Sequence, residues 1–314
     1  MRPILFDTDP GVDDAIALAY LLGQGECELV AVTTVHGNAP LATTTENAHA
    51  LLLGAGADAV PVAAGAARPI AQLPAYAPHV HGQDGLGGAR HRLPDASGRA
   101  TGRAVPTILE QSRRFAGALE IVAVGPLTNL ALALLADPEL PARVRTVYVM
   151  GGAFDVPGNV THAAEANIYH DPEAADLVFS APWRVVAVGL DVTLKVTFEA
   201  DDLEALRTGR SPFVAALGEM ATAYAGVYRR HYGRLACAQH DALAALSAFE
   251  PDVLTTEDRP VRVELRGTYT RGMTVSLRPG ADGPATNVAV GVHVDAVRAR
   301  ERILAAIGRL AARG

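Results

Sequence analysis

Four carboxylates fall within eight residues in the run Asp7-Thr8-Asp9-Pro10-Gly11-Val12-Asp13-Asp14. Like charges gathered so closely repel one another unless a cation compensates, and a set of oxygen ligands suits Ca²⁺ or Mg²⁺. A phosphate-binding loop is excluded, because it requires glycines and a lysine where this run has acids. Asp13 alone would read as a helix N-cap, but a cap does not account for the other three. The run follows a short apolar strand and enters a helix. The carboxyl end of a strand is where open α/β sheets bind ligands, and a helix N-terminus favours anionic groups.

The elements that must position this run recur along the chain as strand then helix. Apolar segments rich in Val and Ile predict buried strands at Pro3–Asp7, Leu29–Thr34, Leu119–Val124, Thr146–Met150 and Arg184–Val188. Helical stretches lie between them, among them Asp14–Leu22, Leu41–Leu53, Thr128–Leu135 and Pro172–Ser180. This alternation predicts an α/β fold with an open, mainly parallel sheet sandwiched by helices. The last third adds helices over Pro212–Tyr232, after Asp241 and over Ala296–Ala311, with strands near Val261–Leu265, Met273–Leu277 and Val288–Val294. Gly65–Gly102 breaks the rhythm, being rich in Gly, Pro, His and Arg; connections of that length usually carry function. No internal repeat or linker divides the chain, so one domain over residues 1–314 is expected.

Composition narrows the partners. The chain has 314 residues, 49% of them hydrophobic, and 27 Lys+Arg against 34 Asp+Glu give a net charge of −7. With no basic run, neither a nucleic-acid polymer nor an anionic membrane surface is expected as a partner. No apolar run approaches the roughly 20 residues that span a bilayer. Asp7 interrupts what a secretory signal would keep apolar, and Cys27 and Cys237 form no CxxC or disulfide framework. A soluble protein of the reducing cytoplasm is the expectation.

Asp7-Thr8-Asp9-Pro10-Gly11-Val12-Asp13-Asp14-Ala15 resembles the N-terminal signature of the inosine–uridine nucleoside hydrolases. The resemblance continues in order through Val35-His36-Gly37-Asn38, His81-Gly82-Gln83-Asp84-Gly85-Leu86-Gly87 and Gly125-Pro126-Leu127-Thr128-Asn129. Met150-Gly151-Gly152, Gly158-Asn159-Val160-Thr161, Glu165-Ala166-Asn167 and His240-Asp241 complete it. It implies a Rossmann-like nucleoside hydrolase fold and a calcium-dependent nucleoside N-ribohydrolase. Asp9, Asp14, Asp241 and the carbonyl of Val124 match the family's Ca²⁺ ligands, and Asp9 also matches the base that activates the water. Asp13, Asn38, Asn159, Glu165 and Asn167 match the groups holding the ribose hydroxyls, and Met150 a residue beside the sugar. His81 and His240 match positions near the nucleobase, with His240 the expected acid for the leaving group. The stretch Tyr224–Tyr232 is expected to supply aromatic contacts to the base, Tyr228 foremost. Family members commonly form homodimers or homotetramers. Two departures stand out: Ala166 replaces an aromatic common among relatives, and His162 replaces a proline after Thr161.

The chemistry agrees with the resemblance. Cleaving a ribosyl C1′–N bond builds oxocarbenium-like charge on the sugar and negative charge on the base. A hard cation can hold vicinal hydroxyls and acidify a water, so that one carboxylate suffices to remove the proton. No organic cofactor is called for. A haloacid-dehalogenase-type phosphatase also begins with Asp-x-Asp, but it wants a later lysine before an acidic pair, and the single lysine, Lys195, precedes none. A non-catalytic nucleoside- or sugar-binding protein on the same scaffold is the other alternative, and ribose release separates it from an enzyme. His79, His91 and His231 read as surface residues. Gly54-Ala55-Gly56-Ala57-Asp58-Ala59 imitates a dinucleotide fingerprint but ends a helix where that motif should open one.

Overall fold

The computed structural model describes residues 1–233, 235–277 and 288–312, apart from the side chains of His231 and Tyr232; the expectation for His231 therefore lies outside the described residues. Its strands are β1 (Arg2–Thr8), β2 (Cys27–Thr34), β3 (Val62–Ala64), β4 (Gly102–Arg103), β5 (Leu119–Ala123), β6 (Val144–Met150) and β7 (Val185–Val188). They continue with β8 (Thr197–Phe198), β9 (Cys237–Ala238), β10 (Leu254–Asp258), β11 (Val261–Val263), β12 (Thr274–Ser276) and β13 (Val288–Val294). Nine of these form one sheet in the order β10-β13-β7-β6-β5-β1-β2-β3-β4. Every pairing in it is parallel except β10 with β13. The mainly parallel sheet expected from the strand–helix alternation is present. Two short antiparallel ribbons, β8 with β9 and β11 with β12, lie outside it.

Strand order explains where the ligand cleft must fall. From β1 the chain builds outward through β2, β3 and β4, then returns to the other side of β1 with β5. That reversal is a topological switch point, where the loops leaving neighbouring strands diverge and open a crevice. The acidic run leaves β1 and Gly125 follows β5, so both border the same opening.

Both faces of the sheet are covered, as buried parallel strands require. Ile4 and Phe6 of β1 pack into one core with α1 (Val12–Gly23), α2 (Leu41–Gly54), α11 (Pro212–Tyr232), α12 (His240–Ser247) and α13 (Ala296–Ala311). Leu5 points to the other core, with α4 (Ala104–Arg114), α5 (Thr128–Ala136) and α8 (Pro172–Ser180). Helix α1 is almost wholly buried because it lies beneath α12 and α13. Its alanines and Gly23 permit that approach, and a Cβ on Gly23 would run into the backbone of Ala306. Helix α2 ends at Gly54 and Gly56 turns away with φ +68°, so this glycine run is a helix end.

The long segment after β3 contains only α3 (Pro78–His81) and a 3₁₀ turn at Arg90–Arg92 before β4. It is nevertheless tied down. The Ile70 N–H donates to Asp171, and the Gln72 amide donates to the carbonyls of Tyr169 and His170. Asp84 folds the turn that follows α3 by accepting from the N–H groups of Leu86, Gly88 and Arg90.

Candidate active site

Helix α1 starts from Gly11, and the residue completing its first turn is Asp14. Asp14 accepts from the Thr8 hydroxyl and the Asp9 N–H at one oxygen, and from the Gly11 N–H and the Asn38 amide at the other. Asp13 is thus not the N-cap: it lies inside the first turn, with Oδ1 buried and unpartnered. A Cβ on Gly11 would meet the Asn38 amide at 2.5 Å and the His81 ring at 2.7 Å, so only glycine lets these loops close together.

Asp9 has one oxygen occupied and one free. Oδ2 accepts the Asn38 N–H at 2.7 Å, while Oδ1 is buried without a partner. A Cβ on Gly125 would sit 2.5 Å from that Oδ1, although the backbone there is one that any residue adopts. Space alone forbids a side chain. Gly125→Ala is therefore expected to displace the Asp9 carboxylate and lower kcat/KM on a ribonucleoside about 10²-fold, the usual cost of misplacing a reacting group by about 1 Å. Ribose release within twofold of wild type would contradict a catalytic Asp9 Oδ1.

Asp13, Asp14 and Asp241 bring carboxylate oxygens within 4.8 Å of one another, all buried. The ligand set expected from the resemblance has Asp9 where this grouping has Asp13. Asp7 stands apart from it: its Oδ1 accepts from the Thr33 hydroxyl and from the Asn129 amide at 2.8 Å. Burial pushes Asp7 up to about 7. Burial likewise raises Asp9 and Asp241 well above the ordinary carboxylate range, their acidic neighbours adding to it, and raises Asp14 to about 6. Among the described residues no lysine or arginine lines the adjoining cavity, to whose wall Asp13 and Asp241 contribute and Asp9 and Asp14 do not. Clustered carboxylates, two orphaned oxygens and no cationic side chain fit a hard divalent cation.

This arrangement fixes the sign of a pH effect. Carboxylates with raised values stabilise the cation-free fold while protonated and lose that contribution as the pH rises through about 6. A cation ligates only the ionised form, so its stabilisation grows over the same range. At 100 times its dissociation constant a ligand contributes about 2.7 kcal/mol, roughly 5 °C in a domain of this size. The gap in melting temperature between Ca²⁺-loaded and chelated protein is expected to open by about that much from pH 5 to pH 8. An equal gap at both ends would contradict the cluster as the cation's site.

The opposite wall comes from α7 (Ala166–His170). Glu165 caps this helix, accepting from the Asn167 and Ile168 N–H groups, and also accepts the Gly152 N–H. The Asn167 amide donates to the Val124 carbonyl at 2.8 Å and to the Met150 carbonyl at 3.1 Å. Asn159 accepts the Ala166 N–H through its side-chain oxygen. Every residue assigned to the ribose by resemblance (Asp13, Asn38, Asn159, Glu165 and Asn167) lines one cavity of about 330 Å³, together with Val124, Met150 and Asp241.

His81, Tyr224 and His240 form a further part of that cavity. The His81 Nδ1 accepts the Val12 N–H, and its ring stacks on Tyr224 at 5.4 Å. Burial lowers His81 to about 4, so its 3.9 Å approach to Asp13 is that of a neutral ring. His240 lies between Thr193, 2.8 Å from Nδ1, and the Tyr228 hydroxyl, 2.6 Å from Nε2. Burial lowers it to about 4 as well, below the unperturbed imidazole value of about 6.5, so the ring is neutral at pH 7. Of the tyrosines on α11, Tyr224 lines the cavity, whereas Tyr228 is bonded to His240 and does not line it. Thr193 has no signal in the sequence, since only the fold brings it to His240. Asn129 is visible as part of a motif, but its task is structural: it joins Asp7, the Thr34 carbonyl and the Ala66 N–H across three strand ends.

Comparison with known proteins identifies the family and the fold. Residues 4–301 match the family model described as "Inosine-uridine preferring nucleoside hydrolase". The chain is 37% identical to the Arabidopsis thaliana protein named "Probable uridine nucleosidase 2", over 94% of this chain and 95% of that one. It is 38% identical to the "Pyrimidine-specific ribonucleoside hydrolase RihA" of Salmonella agona, over 93% and 94% respectively. Among solved structures, a plant nucleoside hydrolase, the PpNRh1 enzyme, superposes with a TM-score of 0.91 at 35% identity, covering 98% of each chain. A purine-preferring ribonucleoside hydrolase from Gardnerella vaginalis gives 0.93 at 30% identity, covering 100% of each.

Proposed function

The chain belongs to the inosine–uridine preferring nucleoside hydrolase family and acts on the N-glycosyl bond of ribonucleosides, and we propose that it does so in the acidic cleft at the β1/β5 switch point. Water and a ribonucleoside become ribose and the protonated base. The observation that supports the placement is the free, buried Asp9 Oδ1, on a carboxylate that interacts electrostatically with the clustered Asp13, Asp14 and Asp241.

Asp9, Asp14, Asp241 and the Val124 carbonyl would hold a divalent cation, for which Ca²⁺ is the proposed ion. When bound, that ion supplies positive charge to polarise water and the vicinal ribose hydroxyls. Asp9 takes the proton of the attacking water at Oδ1, while the Asn38 N–H on Oδ2 keeps the carboxylate from turning. Asp13, Asn38, Asn159, Glu165 and Asn167 hold the sugar hydroxyls, and Met150 flanks the ring. The buried carboxylates favour positive charge developing at C1′. His81 and Tyr224 wall the base, and the Tyr228–His240 pair delivers a proton to it.

Among the described residues no helix is long and apolar enough to cross a membrane. The proposal includes one nucleoside hydrolase domain over residues 1–314, a cytoplasmic location, a homodimer or homotetramer, and no nucleic-acid partner. Reducing sugar released from inosine and uridine tests the reaction. Binding of either nucleoside without release would favour a non-catalytic binder.

A further inference from the structure

The cavity wall extends beyond the residues assigned to ribose and base. One part of its wall is formed by Ala75 and Tyr76 of the long segment facing Ala166, Tyr169 and His170 of α7. On α7, residues three and four apart share a face, so Ala166, Tyr169 and His170 make one stripe. Ile168 points away into the core. The Gln72 side-chain amide, donating to the Tyr169 and His170 carbonyls, holds the long segment against this stripe. Tyr76 is 38% exposed, so the wing leads toward solvent. It has no arginine or lysine; burial holds His170 neutral, at about 4, and the other histidine contributed by the long segment beside Tyr76, His79, is exposed to solvent.

The stereochemistry of the substrate says what points there. In a β-ribonucleoside the base and C5′ project from the ring face opposite the 2′- and 3′-hydroxyls. With the vicinal hydroxyls on the acidic floor, both must point away from it. His81, Tyr224 and His240 take the base, which leaves C5′ to project past Asn159 toward Ala166 and Tyr76. An aromatic side chain at position 166 would close that path, and alanine leaves it open.

We infer that this wing is a subsite for an uncharged, apolar 5′-substituent, so that 5′-alkylthio-5′-deoxyribonucleosides are substrates alongside the parent ribonucleosides. The inference rests on the ribonucleoside hydrolase reading. The bond broken is the same: water adds at C1′, the base leaves protonated, and the 5-alkylthio-5-deoxyribose is released with its thioether intact. Losing the 5′-hydroxyl removes one hydrogen bond, worth up to about tenfold, which burial of the alkyl group offsets.

The test compares kcat/KM for adenosine, 5′-butylthio-5′-deoxyadenosine and adenosine 5′-monophosphate in the wild-type protein and in Ala166→Phe. The wild type is expected to cleave the butylthio nucleoside within about tenfold of adenosine, and the monophosphate far more slowly. In Ala166→Phe the ratio of butylthio nucleoside to adenosine should fall at least tenfold, the discrimination that filling an apolar pocket provides. Should that variant not fold, competitive inhibition of wild-type adenosine hydrolysis by the butylthio compound, at a constant near its own KM, gives the same evidence. Adenosine turnover without butylthio turnover or inhibition would overturn the subsite, as would an unchanged ratio in Ala166→Phe. No turnover of adenosine, inosine or uridine would instead overturn the hydrolase reading on which it rests.

Discussion

Inosine is expected to be hydrolysed about 10⁴–10⁵ times more efficiently than 2′-deoxyinosine, as kcat/KM. The reason is the state of the polar groups at the floor when the hydroxyl is missing. Asp13 is 7% exposed and its Oδ1 has no protein partner; Asn167 is 8% exposed and spends its amide N–H groups on two backbone carbonyls. A ribose hydroxyl that donates to Asp13 repairs an existing deficit, whereas a deoxyribose buries it further. Leaving a buried polar group unmatched costs more than the hydrogen bond itself contributes in water. The deoxy substrate also cannot offer a vicinal pair to a cation. Comparable kcat/KM values for the two nucleosides would remove the floor from the account.

Replacing His240 by alanine is expected to lower kcat on inosine about 10²–10⁴-fold, the usual worth of a positioned acid. The same variant should cleave p-nitrophenyl riboside at nearly the wild-type rate, because p-nitrophenolate leaves without a proton. The structure alters the way in which His240 can act. With a pKa near 4 it is neutral at pH 7, and either tautomer satisfies both its bonds, because the Thr193 and Tyr228 hydroxyls can each donate or accept. The base therefore does not take its proton from a standing imidazolium: the neutral Tyr228–His240 pair gives up one proton as the bond breaks and regains one from solvent, while Asp9 later releases the proton it took from the water. Tyr228→Phe should shift the two substrates in the same direction as His240→Ala. Equal losses on both substrates, or near-normal rates on both, would contradict this role.

The acidic run was legible because its chemistry is improbable as packing: four acids at the end of an apolar strand exceed what a core uses, and of the four Asp7 is held apart from the cluster by Thr33 and Asn129. The central strands were legible for the opposite reason, since burial on both faces leaves unbroken Val and Ile. β10 lacks that signature, because only Leu254 of its five residues is buried, and an edge strand can be polar. Helix α4 was hidden behind Pro106 and a mixed sequence, although proline is tolerated in a first turn. Side-chain partnerships were the least legible part. Nothing near Thr193 announces His240, and Tyr224 and Tyr228 differ only by one helical turn until the fold places one on the cavity wall and the other on His240. The histidine pKa values depend on burial, which composition does not carry.

The central claim is that the buried carboxylates work through a bound divalent cation. Purified protein is exhaustively chelated, its metal content measured, and ribose release from inosine and uridine followed before and after titration with Ca²⁺. The account predicts activity that falls with the metal and returns at about one Ca²⁺ per chain. Full activity in protein shown to be metal-free would contradict it.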